Sequence, residues 1–405
     1  MLQYFQGHGF FSFFFKKSVA FESMTTQTQA PPPILTQNQI EDIVHDTIEP
    51  KQSWFHRWFP YLKWSPTSPE ELQKAEEELL SYVKTKSQGK YVEVNIDEKS
   101  GQKCRIWTRI FKNEEEARNK LPLVMIHGMG SGLALFAMNY DELAKSRTVY
   151  AIDLPGYARS SRCKFSSKPE EAEKQYVQAL ENWRQKCGLD KFCLLGHSFG
   201  GYLSSAYALN HPDHVSHLIL ADPWGMPEKP KEEQARRIPI WIKVLYHVLF
   251  KHLNPLAGLR MAGPWGLQSV TRFRPDLISK FGDLFDNEEE NKRVIPNYIY
   301  HCNVHNPTGE AAFHSLMKGF AWAENPMLPR LKNLQPSVPL TALYGADSWI
   351  TAIPEDQFKE IRGGSEANYT KMRLIDDAGH HVYANPAQFD YRVLQACQYS
   401  DGKLQ

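Results

Sequence analysis

The sequence predicts an α/β fold: a mostly parallel central sheet with helices on both faces. Three observations carry that expectation. First, short apolar runs recur at Leu121–Ile126, Thr148–Ile152, 192–196 and 217–221, each ending in a turn rich in Gly, Pro or Asp. Runs of this kind are strands buried on both faces. Second, residues 169–187 read as a helix between two such runs, and a strand–helix–strand cadence builds a parallel sheet. Third, Gly196-His197-Ser198-Phe199-Gly200 stands where a strand turns sharply into a helix, with Ser198 at the apex. Its two glycines let such a turn pack closely.

Composition narrows the function classes. The 405 residues carry 47 Lys and Arg against 46 Asp and Glu, a net charge of +1 that does not suggest nucleic-acid binding. Cys104, Cys163, Cys187, Cys193, Cys302 and Cys397 are scattered without C-x-x-C spacing. That pattern leads us to expect reduced thiols of a cytosolic protein, and neither a disulfide framework nor a zinc site. No stretch approaches the ~20 apolar residues of a membrane-spanning helix.

Taken in order, residues 1–38 are expected to be a disordered extension. A run of phenylalanines from Phe10 to Phe15 precedes Lys16 and Lys17, without the basic start or cleavage site of a secretory signal. Met24 is a candidate alternative start, ahead of Pro31-Pro32-Pro33. Residues 50–65 then place six aromatics within eleven positions, Trp54, Phe55, Trp58, Phe59, Tyr61 and Trp64, beside Arg57 and Lys63. Amphipathic rings next to cations favour a membrane–water interface, so Trp54, Trp58 and Trp64 are candidate membrane-binding residues. Packing of the segment on the protein's own surface is the other reading. The remainder, 66–400, reads as one catalytic domain. Its first element is a charged helix over 69–84, started by Ser68 and Pro69 with Glu70 and Glu71 in the first turn. Tyr91–Ile96 and Cys104–Phe111 alternate like antiparallel strands.

Two glycine-bearing turns point to chemistry. A serine at a strand-to-helix elbow is the nucleophile position of the α/β-hydrolase fold, and the N–H of the next residue, Phe199, faces the reacting oxygen. His127-Gly128-Met129-Gly130-Ser131-Gly132 follows the Leu121–Ile126 strand, where that fold sets its second oxyanion donor, here the N–H of Met129. The turn lacks the Lys-Ser/Thr of a phosphate loop. A hydroxyl attacks only when an imidazole takes its proton and a carboxylate orients the imidazole. Val338–Tyr344 leads into Gly345-Ala346-Asp347, and Met372–Ile375 leads towards Gly379-His380-His381. Ser198, Asp347 and His380 therefore stand in the chain order of the triad. His381 is the other candidate base. Asp347 lies one place earlier after Gly345 than the acid of many hydrolases, where Ser348 stands, and Asp356, Asp376 and Asp377 are alternatives. Asp153, after the Thr148–Ile152 strand, reads as a loop organiser.

Residues 226–332 break the cadence and read as an α-helical lid inserted after Asp222. Ile238–His252 carries Trp241, Val244, Leu245, Val248 and Leu249 on one face, opposite Lys243, His247 and Lys251. Such a helix covers either an acyl-binding site or the core.

With these residues placed, the chain resembles the branch of α/β-hydrolase domain-containing proteins four and five, from about Trp54 to the C-terminus. The resemblance covers the Trp-rich segment, the turn at 127–133, Asp153-Leu154-Pro155-Gly156, Ala262-Gly263-Pro264-Trp265-Gly266, Tyr298–Asn303, Tyr344–Asp347 and Gly379–Ala384. It implies a serine hydrolase cleaving acyl esters of lysophospholipids or N-acyl phospholipids, with no metal or organic cofactor. It implies a cytoplasmic protein at lipid droplets or endoplasmic reticulum, with mitochondria as another site, and a triacylglycerol lipase or droplet coat protein as partner. The branch also holds a lipase coactivator with asparagine at the nucleophile position, where this chain has Ser198. An H-x-x-x-x-D pattern in the branch is linked to acyl-CoA-dependent acylation of lysophosphatidic acid. Here it reads His380-His381-Val382-Tyr383-Ala384-Asn385, which lacks the carboxylate. Asp347 is the one local acid where the branch often has aspartate at the position of Thr351.

Overall fold

Strand β1 (Ser87–Asp97) and strand β2 (Gln102–Phe111) form an antiparallel hairpin that opens an eight-stranded sheet. The computed structural model describes residues 67–97, 101–112, 120–230, 256–273, 275–319, 322–364 and 368–402. The N-terminal extension, the Trp-rich segment with Trp54, Trp58 and Trp64, and the helix expected over 238–252 lie outside the described residues.

The sheet continues with β3 (Leu123–Ile126), β4 (Val149–Ile152), β5 (Phe192–His197), β6 (Val215–Ala221), β9 (Leu340–Gly345) and β10 (Thr370–Ile375). The short strands β7 (Met317–Lys318) and β8 (Trp322–Ala323) pair apart from it. The order across the sheet is β1-β2-β4-β3-β5-β6-β9-β10. Only the β1–β2 and β2–β4 pairings are antiparallel, and the other five are parallel. The expected mostly parallel sheet is thus observed.

Each strand's pattern explains its place. All four residues of β3 are buried, as a central strand covered on both faces requires. Because side chains alternate, Leu123 and Met125 enter one core while Val124 and Ile126 enter the other. Burying each such side chain is worth roughly 1.5–3 kcal/mol. At the edge, β1 buries Val92, Val94 and Ile96 and exposes Tyr91, Glu93 and Asn95.

Helix α1 (Pro69–Leu80) begins where Ser68 Oγ accepts the N–H of Glu71 at 3.2 Å, and it stops four residues short of the expected end. Helix α2 (Ala137–Leu143) follows the turn after β3. Helix α3 (Pro169–Cys187) ends at Gly188, whose φ of +66° suits the left-handed cap. Helix α4 (Phe199–Asn210) starts directly after Ser198. Between β6 and β9 the described residues form several helices, chief among them α5 (Glu288–Asn303) and α6 (Thr308–Ser315). The chain closes with helix α7 (Pro386–Asp401).

One expectation is corrected. Cys104 on β2 and Cys163 are paired, with Cα atoms 6.0 Å apart, the span of a disulfide. Their separation of 59 residues hid the pairing in the sequence. The 160–163 loop is laced onto β2 through Ser161 N–H to Arg105 O at 2.9 Å and Trp107 N–H to Ser160 Oγ at 2.8 Å. Among the described residues no helix is long and apolar enough to cross a membrane.

Candidate active site

The carboxyl ends of β3, β5, β6, β9 and β10 meet at Ser198. Its backbone has φ +54° and ψ −116°, a conformation that L-residues rarely adopt and that functional turns retain. Neighbouring glycines permit it. A Cβ on Gly196 would stand 2.3 Å from the carbonyl oxygen of Gly200, and one on Gly200 would stand 2.5 Å from the carbonyl oxygens of Ile126 and His127. The Ser198 carbonyl is held by the N–H groups of Gly201 at 2.9 Å and Trp224 at 3.1 Å.

His380 lies across the turn after β10. Its Nε2 is 2.9 Å from Ser198 Oγ, and its Nδ1 is 2.6 Å from Asp222 Oδ2. Since a carboxylate only accepts, the proton sits on Nδ1, and Nε2 is left to receive the serine hydroxyl. His381 is turned elsewhere, its Nδ1 2.7 Å from the Tyr383 hydroxyl.

The acid differs from the sequence expectation. Asp347 is exposed, and the carboxylate on His380 belongs to Asp222. The reason lies in strand register. β6 and β9 are parallel neighbours with Ala221 opposite Leu343, so residues just past either strand reach the same edge. Asp222, one residue past β6, has φ +45° and is fully buried. Its Oδ1 accepts the N–H of Gly345 at 3.1 Å, and its Oδ2 accepts the hydroxyl of Ser348 at 2.5 Å. Beyond β9 the chain reverses, with Ser348 N–H on Gly345 O at 3.1 Å. That turn exposes Asp347 and brings Ser348 onto Asp222. Asp356, Asp376 and Asp377 are exposed as well.

The turn after β3 stands beside the serine: a Cβ on Gly128 would lie 2.9 Å from Ser198 Cβ. Met129 belongs to that turn, and Phe199 is the first residue of α4, so the two segments flank Ser198. Helix α5 secures the turn. Asn303 Nδ2–H donates to Gly130 O at 2.8 Å, and the N–H of Ala134 donates to the Tyr298 hydroxyl at 3.2 Å. Beneath it, His127 Nδ1–H donates to Gly128 O at 2.7 Å while Nε2 accepts the N–H of Leu154 at 3.0 Å. Burial pushes His127 down to about 4, which keeps the ring neutral and this pair of bonds intact. Asp153 organises its loop, as read: its carboxylate accepts the N–H groups of Leu133 at 2.8 Å and Arg159 at 2.9 Å. Burial, followed by the nearby Glu76 carboxylate, raises it.

Two partners escaped sequence reasoning. His197 Nε2–H donates to the carbonyl of His380 at 2.8 Å, linking the residue before the serine to the histidine loop. Trp349, exposed at the surface, sets its ring 5.1 Å from that of His380. Among the described residues no group of three or more His, Cys, Asp or Glu is placed to hold a metal ion.

A serine hydroxyl on an imidazole on a buried carboxylate is an arrangement suited to acyl transfer. The sequence pattern of the alpha/beta hydrolase fold family matches residues 122–386. The chain is 42% identical over 337 residues to human 1-acylglycerol-3-phosphate O-acyltransferase ABHD5, spanning 83% of this chain and 92% of that protein. It is 41% identical over 337 residues to human (lyso)-N-acylphosphatidylethanolamine lipase, spanning 83% and 94%. Among solved structures, carboxylesterase CesB of Bacillus subtilis superposes with a TM-score of 0.54 at 17% identity, over 81% of this chain and 97% of its own. At that identity the likeness concerns the fold.

Proposed function

The chain belongs to the α/β-hydrolase family, in the branch of ABHD5 and the (lyso)-N-acylphosphatidylethanolamine lipase, and from that premise we propose that it is a serine hydrolase cleaving acyl esters of lysophospholipids or N-acyl phospholipids. The observation that carries this reading is the unbroken hydrogen-bonded line from Ser198 through His380 to Asp222. In the proposed reaction Ser198 Oγ attacks the acyl carbon as its proton passes to His380 Nε2. Asp222 holds Nδ1–H and stabilises the imidazolium. The tetrahedral oxyanion turns to the N–H groups of Met129 and Phe199, where one such donor is typically worth about 3 kcal/mol in the transition state. The leaving oxygen takes the proton from Nε2, and water then releases the fatty acid by the same relay.

The helices between β6 and β9 are proposed to cover the acyl chain, and Trp54, Trp58 and Trp64 to seat the protein on a lipid-droplet or endoplasmic-reticulum surface. A second reading, acyl transfer from acyl-CoA to lysophosphatidic acid, is favoured by the name of the 42% identical human relative. Asn385 weighs against it. It offers no carboxylate, and its Nδ2–H donates to Asp376 O at 2.8 Å.

The test compares wild type with Ser198→Ala on lysophospholipids, N-acyl-phosphatidylethanolamines and triacylglycerol, with acyl-CoA in half the reactions. Fatty-acid release that is lost in Ser198→Ala supports the hydrolase. Phosphatidic acid formed only with acyl-CoA supports the transferase. Two silent proteins that both stimulate an added triacylglycerol lipase would replace the enzyme with a coactivator.

A further inference from the structure

The Asp222 carboxylate accepts three donors, and two of them come from the end of a different strand. Oδ1 takes the N–H of Gly345, while Oδ2 takes both the Ser348 hydroxyl at 2.5 Å and His380 Nδ1–H at 2.6 Å. Ser348 is itself fixed. Its Oγ accepts the N–H of Ile350 at 3.1 Å, which leaves its single proton for Asp222. Asp222 sits at φ +45°, a conformation that persists only where surrounding contacts over-determine it. The contacts from Gly345 and Ser348 do so.

We infer that Ser348 is a positioning residue that holds the Asp222 carboxylate in line with His380. The geometry carries this role. Ser348 Oγ and His380 Nδ1 touch the same oxygen, so they are no more than two hydrogen-bond lengths apart. The hydroxyl's bond to Asp222 is strong for a serine because its acceptor is ionised.

The inference rests on the proposed hydrolase for its rate effects, and one readout is independent of turnover. The far-downfield proton resonance of His380 Nδ1–H reports its bond to the carboxylate directly. It would be recorded for wild type, Ser348→Ala, Ser348→Thr and Asp222→Ala. Initial rates with 4-nitrophenyl butyrate would be measured alongside. In Ser348→Ala the resonance is expected to move and kcat to fall about tenfold with KM within about twofold, the mark of an interaction made in the transition state. Ser348→Thr, which keeps the hydroxyl, is expected to restore both. Asp222→Ala is expected to lose the resonance and about 10³–10⁴-fold in kcat.

A Ser348→Ala resonance at the wild-type position, or no resonance in wild type, would overturn the inference. The Ser348 pair decides the matter even if Asp222→Ala does not fold. A wild type that shows the resonance, shifted by Ser348→Ala, but hydrolyses no ester would sink the proposed function and leave the positioning role standing.

Discussion

The ring of His197 donates from Nε2 to the carbonyl oxygen of His380 at 2.8 Å, so the elbow that raises the serine also anchors the loop that carries the proposed base. The two rings lie 4.8 Å apart. His197→Ala is expected to lower kcat about tenfold with little change in KM, because a loosened base is misplaced only in the transition state. His197→Gln, which keeps a side-chain donor, is expected to recover part of that loss. Steady-state kinetics on a soluble ester would check both.

The identity of the proposed acid separates two neighbouring strand ends. Asp222→Asn is expected to cost about 10³–10⁴-fold in kcat, since an amide favours the wrong histidine tautomer. Asp347→Asn, an exposed change, is expected to stay within about twofold. Fluorophosphonate labelling rates for the two variants give the same comparison without a lipid substrate.

His127 links the site to pH. Its folded value of about 4 lies below the ordinary 6.5 because burial disfavours the charged ring. The unfolded chain therefore binds more protons between those values, and stability falls as pH drops from about 6.5 towards 4. The full loss is about 3 kcal/mol. Above pH 6.5 the neutral ring costs nothing. His127→Gln is expected to flatten this limb, as judged by urea midpoints of both proteins at pH 7.5, 6 and 5.

Gly200→Ala is expected to destabilise the fold by about 3 kcal/mol or to prevent folding, because its Cβ would press on two backbone oxygens that cannot move aside. Gly101→Ala meets no neighbour, and its cost is expected to be confined to a backbone at φ +64°. Thermal melts of the two variants would separate crowding from strain.

Replacing Trp54, Trp58 and Trp64 together with alanine is expected to abolish flotation with triolein droplets coated in phosphatidylcholine, while fluorophosphonate labelling in solution persists. Retained flotation would return the segment to the protein's own surface.

Much of this protein was legible in its sequence because the signals are local. Alternation in β1 and continuous apolarity in β3 marked their places in the sheet, and the two glycines around Ser198 marked a turn that a side chain would obstruct. What lay out of reach depended on contacts between distant residues. The pairing of Cys104 with Cys163 required the 160–163 loop to lie on β2, and the bond from His197 to His380 joins residues 183 positions apart. The acid is the clearest case. Chain order pointed to the turn after β9, and the structure does use that turn, but through Ser348. Parallel pairing sets the ends of β6 and β9 side by side, and only the backbone angles there decide which carboxyl group faces His380. Spacing along the chain carries no record of those angles, so tertiary structure assigned the place to Asp222 and left Asp347 in solvent.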